Sequence, residues 1–310
     1  MSINVLFAAQ YERWETYRPA LMAAFQAAGL DVNLQTDLPA DQVDYIIYAP
    51  NSAVQDFTPF TRAKAVLNLW AGVEAVVGNE TLTIPLARMV DPGMTQSMTE
   101  WVMGHVLRHH LGMDAHIHNP TSEWSPQPVP LAQERRVTVL GLGELGRHVA
   151  KALAGFGFNV TGWSRSPKTI EGIATLHGAD GLDRALGTAE ILVLLLPDTA
   201  ATTNVLNART LALMPKGSVI INPGRGPLID DAALLSALDT GHIGHATLDV
   251  FRVEPLPEDH PFWSHPKITV TPHVAAETRP RTASKIIAEN IKRGEAGAPF
   301  LHLVNRERGY

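Results

Sequence analysis

The sequence predicts an α/β protein made of two doubly wound parallel sheets. Two observations carry that reading. Short apolar runs alternate with helix-patterned stretches along nearly the whole chain, which is the rhythm of βαβ units. That rhythm breaks once and restarts at Arg136 with "VTVLGLGELGRHVAKALAGFGFNVTGWSRS", a strand, a glycine turn, a helix and a second strand.

The first layer begins with "INVLFA" (3–8) as a buried strand. In "RWETYRPALMAAFQAAG" (13–29) Leu21, Ala24, Phe25 and Ala28 share one helical face, and Gly29 is the stop signal. "DVNLQ", "DYIIYAP" and "AVLNLW" are the strands that follow. "TQSMTEWVMGHVLRHHLGMDAHIHN" (95–119) is expected as one long helix with Thr95 or Ser97 as its cap. A proline-bearing excursion, "PTSEWSPQPVPLAQE", comes next, and loops of that length usually serve function or a partner. In the second layer the expected strands after "FNVTGW" are "AEILVLLLP", "GSVIINP", "HATLDVF" and "KITVTPH". The last helix, "RPRTASKIIAENIKRGEAG", is expected to return to the first layer. The domains are accordingly drawn as 1–96 with 281–310, and 97–280.

Composition narrows the function. The 310 residues suit about two domains, and 45% hydrophobic with 18% charged residues suits large cores. A net charge of −6 offers nucleic acid no attraction. The absence of cysteine excludes thiolate chemistry and disulfides. "MSINVLFAAQ" has no basic leader, and no apolar run reaches the ~18 residues of a membrane span, so a cytoplasmic protein with no membrane partner is expected.

"GLGELG" sets Gly141, Gly143 and Gly146 in G-x-G-x-x-G spacing between a strand and a helix. Gly141 permits the tight turn, Gly143 lets backbone approach a pyrophosphate, and Gly146 lets the helix pack on its strand. The phosphates then meet the N–H groups of the helix start, around Glu144 and Leu145. This makes the second layer a Rossmann domain. An NAD-binding chain would place an acidic residue at the end of the next strand. Here Ser164 stands in that place, followed by Arg165, Ser166 and Lys168. Cations there suit a 2′-phosphate, so the expected cofactor is NADP, with NADPH preferred over NADH.

Three further strands lead to ionisable residues. "GSVIIN" leads to Arg225, "HATLDVF" to Glu254 and "KITVTP" to His273. In a parallel sheet these ends share one edge beside the cofactor site. An arginine for a carboxylate, a histidine as proton donor and a carboxylate that orients it form a set suited to reducing a 2-keto acid.

With these residues in view, the chain resembles the D-2-hydroxyacid dehydrogenase family, and within it the glyoxylate/hydroxypyruvate reductase A group. The matching pieces are "LWAGVEAVV", "LGLGELG", "WSRS", "LLLPDT", "INPGRGPLIDDAALLSALDTGHI", "LDVFRVEPLPEDHPFW", "ITVTPHVAAETRP" and "RERGY". The resemblance implies a flavodoxin-like substrate domain beside the Rossmann domain. It implies reduction of glyoxylate to glycolate and hydroxypyruvate to D-glycerate by hydride transfer, with Arg225, Glu254 and His273 catalytic. It puts Pro197, Thr202, Pro223 and Asp249 near the cofactor. Pro223-Gly224 depart from the commoner "N-x-A/S-R-G" of the family. Gly72 allows a nest of N–H groups, and the resemblance makes Ala71, Gly72 and Val73 a second grip on the substrate carboxylate. Tyr48 and Trp124 are candidate pocket walls, and a homodimer is implied, with Trp124 reaching the partner.

Other readings remain at this stage. One is another D-2-hydroxyacid dehydrogenase; phosphoglycerate dehydrogenase would want a further domain and formate dehydrogenase would prefer NAD. Another is a non-enzymatic NAD(H)-binding corepressor-like protein, against which the complete Arg-Glu-His set argues. His105 and His109, with His110, His116 and His118 nearby, lack a carboxylate after His105, where Val106 stands, so no metal is expected. They are expected at an interface instead.

Overall fold

The computed structural model describes residues 2–117, 122–124, 126, 128–307 and 309. His118 and parts of the proline-bearing excursion and of "RERGY" lie outside the described residues. The elements begin with β1 (Ile3–Ala8), α1 (Tyr11–Ala28), β2 (Val32–Gln35), β3 (Tyr45–Tyr48), β4 (Ala65–Asn68) and β5 (Leu86–Ala87). Next come α2 (Pro92–His110), α3 (Met113–Ile117), β6 (Arg136–Leu140), α4 (Glu144–Phe156), β7 (Asn159–Ser164), β8 (Ala174–His177) and α5 (Gly178–Leu186). The rest are β9 (Ile191–Leu194), α6 (Ala208–Ala212), β10 (Ser218–Asn222), α7 (Asp231–Asp239), β11 (Ile243–Leu248), β12 (Ile268–Val270) and α8 (Pro280–Glu295).

These elements form two compact units, Met1–Met94 with Glu277–Tyr310, and Thr95–Ala276. The first holds a five-stranded parallel sheet in the order β2-β1-β3-β4-β5. Tyr17, Leu21 and Phe25 form the buried stripe of α1, and Gly29 ends that helix in the left-handed region at φ 71°. α8 packs on α1, burying Ala283, Ile287, Ala288 and Ile291. Leu303 pairs with Ala87, so the tail closes the far edge of the sheet.

The second unit holds a seven-stranded parallel sheet, ordered β12-β11-β10-β9-β6-β7-β8. β9 shows why its strands read as unbroken apolar runs. Ile191 and Val193 enter the core on one face, and Leu192 and Leu194 enter the core on the other. The order runs outward in both directions from β6 and β9, which makes their C-terminal ends the switch point where such sheets bind ligands.

Two expectations about elements need correction. The long helix is two helices and starts earlier. Asp91 Oδ1 accepts the N–H groups of Gly93 (2.8 Å) and Met94 (3.2 Å), so the cap is an aspartate rather than Thr95 or Ser97. Gly112, at φ 61°, separates α2 from α3. Strands β5 and β8 were not expected: β5 has only two residues, and β8 lies at the sheet edge without a fully buried residue.

Candidate active site

The glycine turn joins β6 to α4, and its three glycines have different reasons. Gly141 sits at φ 104°, and a Cβ there would come 2.4 Å from the carbonyl oxygen of Leu195. A Cβ on Gly146 would lie 1.8 Å from the carbonyl oxygen of Gly141. Both positions are therefore closed by the protein's own backbone. Gly143 differs: its φ is −72° and a Cβ would meet nothing within 4 Å. The chain itself does not require glycine there, whereas a group settling onto that backbone would. Gly143 caps α4 and brings no side chain to accept the first-turn N–H groups of Glu144 and Leu145. Those donors and the helix dipole suit a phosphate. The residues present thus fit a dinucleotide.

At the end of β7, buried Ser164 donates its hydroxyl to the Ser166 carbonyl at 2.8 Å and folds the turn back on itself. Arg165, Ser166 and Lys168 are exposed. Lys168 Nζ donates to the Leu142 carbonyl at 2.6 Å, so this cation is tied to the glycine turn. After β9, the Thr202 hydroxyl donates to the Pro197 carbonyl at 2.7 Å and closes that loop.

Asn222, at the end of β10, organises the arginine loop. Its Oδ1 accepts the Gly224 N–H (3.1 Å) and its Nδ2 donates to the Arg225 carbonyl (2.9 Å). Pro223 is buried inside this clamp. Arg225 is half-buried and its Nη1 donates to the Gly224 carbonyl at 2.6 Å. A Cβ on Gly226 would lie 1.9 Å from the backbone of Phe251, so the loop runs against the segment that leads to Glu254.

Glu254 and His273 meet. Oε2 of the carboxylate lies 2.6 Å from Nδ1 of the ring, and Oε1 accepts the Phe251 N–H at 2.9 Å. A carboxylate only accepts, so Nδ1 carries the hydrogen. The bond to Glu254 raises the pKa of His273; burial and the charge of Arg225 pull it down but do not prevail. Burial alone would raise the Glu254 carboxyl, yet its bonds to His273 and Phe251 and the charges of His273 and Arg225 hold it below its ordinary value. Arg225, Glu254 and His273 therefore share one electrostatic environment.

Fully buried Asp249 carries the histidine turn. Its carboxylate accepts from the Thr271 hydroxyl (2.5 Å) and the N–H groups of Val274 (2.9 Å) and Ala275 (2.9 Å). Its carbonyl accepts the His273 N–H at 2.9 Å, and its own N–H donates to the Asn222 carbonyl.

In the first unit, Ala71, Gly72 and Val73 form a turn after β4. Tyr48 is 1% exposed and packs edge-on against Phe57, a core position in this unit; burial raises its pKa. Trp124 is 95% exposed. Of the histidines of α2, His109 bonds within the second unit. His109 Nε2 lies 2.9 Å from the Thr247 hydroxyl and its ring is 5.0 Å from that of His245. Burial lowers His109 to about 3 and His245 to about 4, so both are neutral at pH 7. Among the described residues no group of three potential ligands could hold a metal ion, and no helix is long and apolar enough to cross a membrane. The sequence reading missed Asn222; an asparagine closing a buried strand before a glycine-rich turn was its signal.

Comparison with known proteins adds four findings. Residues 101–275 match the family described as D-isomer specific 2-hydroxyacid dehydrogenase, NAD binding domain. Glyoxylate/hydroxypyruvate reductase A of Serratia proteamaculans is 41% identical over 257 residues, 80% of this chain and 82% of that protein. Among solved structures, a D-isomer specific 2-hydroxyacid dehydrogenase from Xanthobacter autotrophicus Py2, in complex with NADPH and MES, is 40% identical with a TM-score of 0.93. The NADPH-dependent glyoxylate/hydroxypyruvate reductase of Sinorhizobium meliloti, in complex with NADP and sulfate, is 37% identical with a TM-score of 0.88. Both structures align over 100% of each chain.

Proposed function

The chain belongs to the D-isomer specific 2-hydroxyacid dehydrogenase family, and from that premise we propose that it is an NADP-dependent enzyme reducing the small 2-keto acids glyoxylate and hydroxypyruvate. The observation that carries this reading is the 2.6 Å contact between His273 and Glu254 within the electrostatic reach of Arg225. The NADPH-bound and NADP-bound relatives support the cofactor.

Each residue has a distinct task. Gly143 and the first-turn amides of α4 take the pyrophosphate, and Arg165, Ser166 and Lys168 take the 2′-phosphate. Bound there, NADPH supplies the hydride. Arg225 binds the substrate carboxylate and polarises the keto group. Glu254 holds the Nδ1–H of His273, which fixes the ring and stabilises the imidazolium. Nε2 then gives its proton to the carbonyl oxygen as the carbon is reduced. Asp249 acts through the turn that presents His273. The Ala71–Val73 turn offers N–H groups to the substrate carboxylate.

A homodimer is part of the proposal. Leu111, Met113, Ile117, Trp124, Val129 and Leu131 all expose apolar surface from α3 and its neighbouring loops, and such groupings mark association surfaces. The direct test of function is a kinetic panel of small 2-keto acids with NADPH and with NADH. Turnover of glyoxylate and hydroxypyruvate by NADPH is the expected result; no turnover of any 2-keto acid would overturn the reading.

A further inference from the structure

Asn68 ends β4, just before the Ala71–Val73 turn, and is 1% exposed. Its Nδ2 donates to the carbonyls of Trp70 (3.0 Å) and Gly72 (2.9 Å). The Trp70 carbonyl also accepts the Met89 N–H at 3.0 Å. A trans peptide unit is planar, with its C=O and N–H on opposite sides. Drawing the carbonyls of Trp70 and Gly72 back onto Asn68 therefore turns the N–H groups of Ala71 and Val73 the other way. Among the described residues no acceptor takes the N–H of Ala71, Gly72 or Val73. The turn thus presents successive amide donors, the arrangement that receives an anion.

The other end of the same side chain shows what asparagine is for. Asn68 Oδ1 is buried and has no hydrogen-bond partner among the described residues. A buried amide oxygen without a partner weakens a fold. Leucine, of similar size, would avoid that cost but lose both Nδ2 bonds, two effects on stability of opposite sign. The distinctive contribution of asparagine is the pair of donors that orients the turn.

We propose that Asn68 is a positioning residue: it holds the Trp70 and Gly72 carbonyls so that the Ala71 and Val73 amides receive the carboxylate of the 2-keto acid. This rests on the activity proposed above. The test compares wild type with Asn68→Leu, and with Asn68→Ala in case leucine does not fit. For either variant the KM for glyoxylate should rise by roughly tenfold or more, the scale of losing one hydrogen bond to a charged group. The kcat, the Kd for NADPH and, for leucine, the melting temperature should stay near wild type. In the NADPH-loaded protein, the Kd for oxalate, a carboxylate of the same length that cannot be reduced, should rise by a similar factor in calorimetry. An unchanged KM and an unchanged oxalate Kd would overturn the proposal. So would a rise in KM that comes together with a loss of NADPH affinity and, for leucine, of melting temperature, which marks a purely structural residue. Wild-type turnover tests the activity separately: its absence refutes the function, whereas wild-type turnover with an unmoved KM in the variants refutes the role of Asn68.

Discussion

Two glycines three residues apart should respond to alanine in opposite ways. At Gly143 the backbone, φ −72° and ψ −163°, is open to alanine, and the added methyl meets nothing within 4 Å. Gly143→Ala should therefore fold normally, with stability within about 1 kcal/mol of wild type. The methyl would instead stand where a pyrophosphate approaches the helix start. Losing one amide contact to a charged oxygen is worth about 1.5–3 kcal/mol, so the Kd for NADPH should rise about ten- to a hundredfold. At Gly146 the added Cβ would lie 1.8 Å from the Gly141 carbonyl oxygen, and α4 must shift off its strand. Overpacking of this kind costs about 1–3 kcal/mol or more, a fall in melting temperature of roughly 2–10 °C. Thermal unfolding without cofactor and fluorescence titration with NADPH read the two effects separately. If Gly143→Ala binds NADPH as tightly as wild type, the phosphates lie elsewhere. If Gly146→Ala melts with wild type, the packing argument fails.

Three other outcomes are expected. His273 titrates above its ordinary value because Glu254 favours the imidazolium, so reductase activity should be present at neutral pH and be lost as pH rises through that raised value. Glu254→Gln should move this alkaline limb to lower pH with NADPH affinity unchanged, and His273→Ala should lower kcat by roughly 10²–10⁴-fold; an unmoved limb would assign the proton to another donor. Arg165→Ala should reduce the preference for NADPH over NADH by about tenfold or more, and an unaltered preference would place the 2′-phosphate away from "WSRS". Light scattering should return twice the 33.6 kDa chain mass, and a monomer at micromolar concentration would remove the dimer.

Much of this architecture was legible because the physics is local. β9 is buried on both faces, so its four residues are all apolar. Gly146 is required by the Gly141 carbonyl of the same βα turn and Gly141 by its own φ of 104°, so their spacing stands in the sequence itself, although the Leu195 carbonyl that also closes Gly141 lies far along the chain. The candidate site was legible for a different reason: parallel strands deliver their ends to one edge, so reading to the end of each strand reaches Arg225, Glu254 and His273, of which the last two meet at 2.6 Å. Most of what escaped notice depends on partners further along the chain, the local Asp91 cap being the exception. β8 is an edge strand stabilised by pairing with β7, and its residues carry no pattern of their own. Asp91 displaces Thr95 and Ser97 as the cap because the helix starts at Pro92, which leaves both inside it. The setting of His109 was not legible, because the sequence does not reveal that His245 and Thr247 of β11 meet it.

The way the site is mounted separates its two selectivities. His273 sits at φ 54°, an uncommon conformation for a residue with a side chain. Such a conformation persists where its surroundings over-determine it. Asp249 does this, accepting the N–H groups of His273, Val274 and Ala275 and the hydroxyl of Thr271. Asp249 in turn hangs from the Asn222 carbonyl, and the Asn222 side chain grips the arginine loop on both sides of Pro223-Gly224. Arg225 and His273 are thus carried by one hydrogen-bonded frame across the ends of β10 and β11, and Glu254 joins it through His273. The cations at 165 and 168 stand outside that frame, exposed at the end of β7, with Lys168 held by the glycine turn. Substitutions among residues 164–168 should consequently change which nicotinamide cofactor binds while leaving the alkaline limb of reduction in place, since the bonds that fix Glu254 and His273 run to each other, to Phe251 and to Asp249. Substitution at Asn222 should disturb the anchoring of the substrate carboxylate, because the frame connects it directly to Arg225.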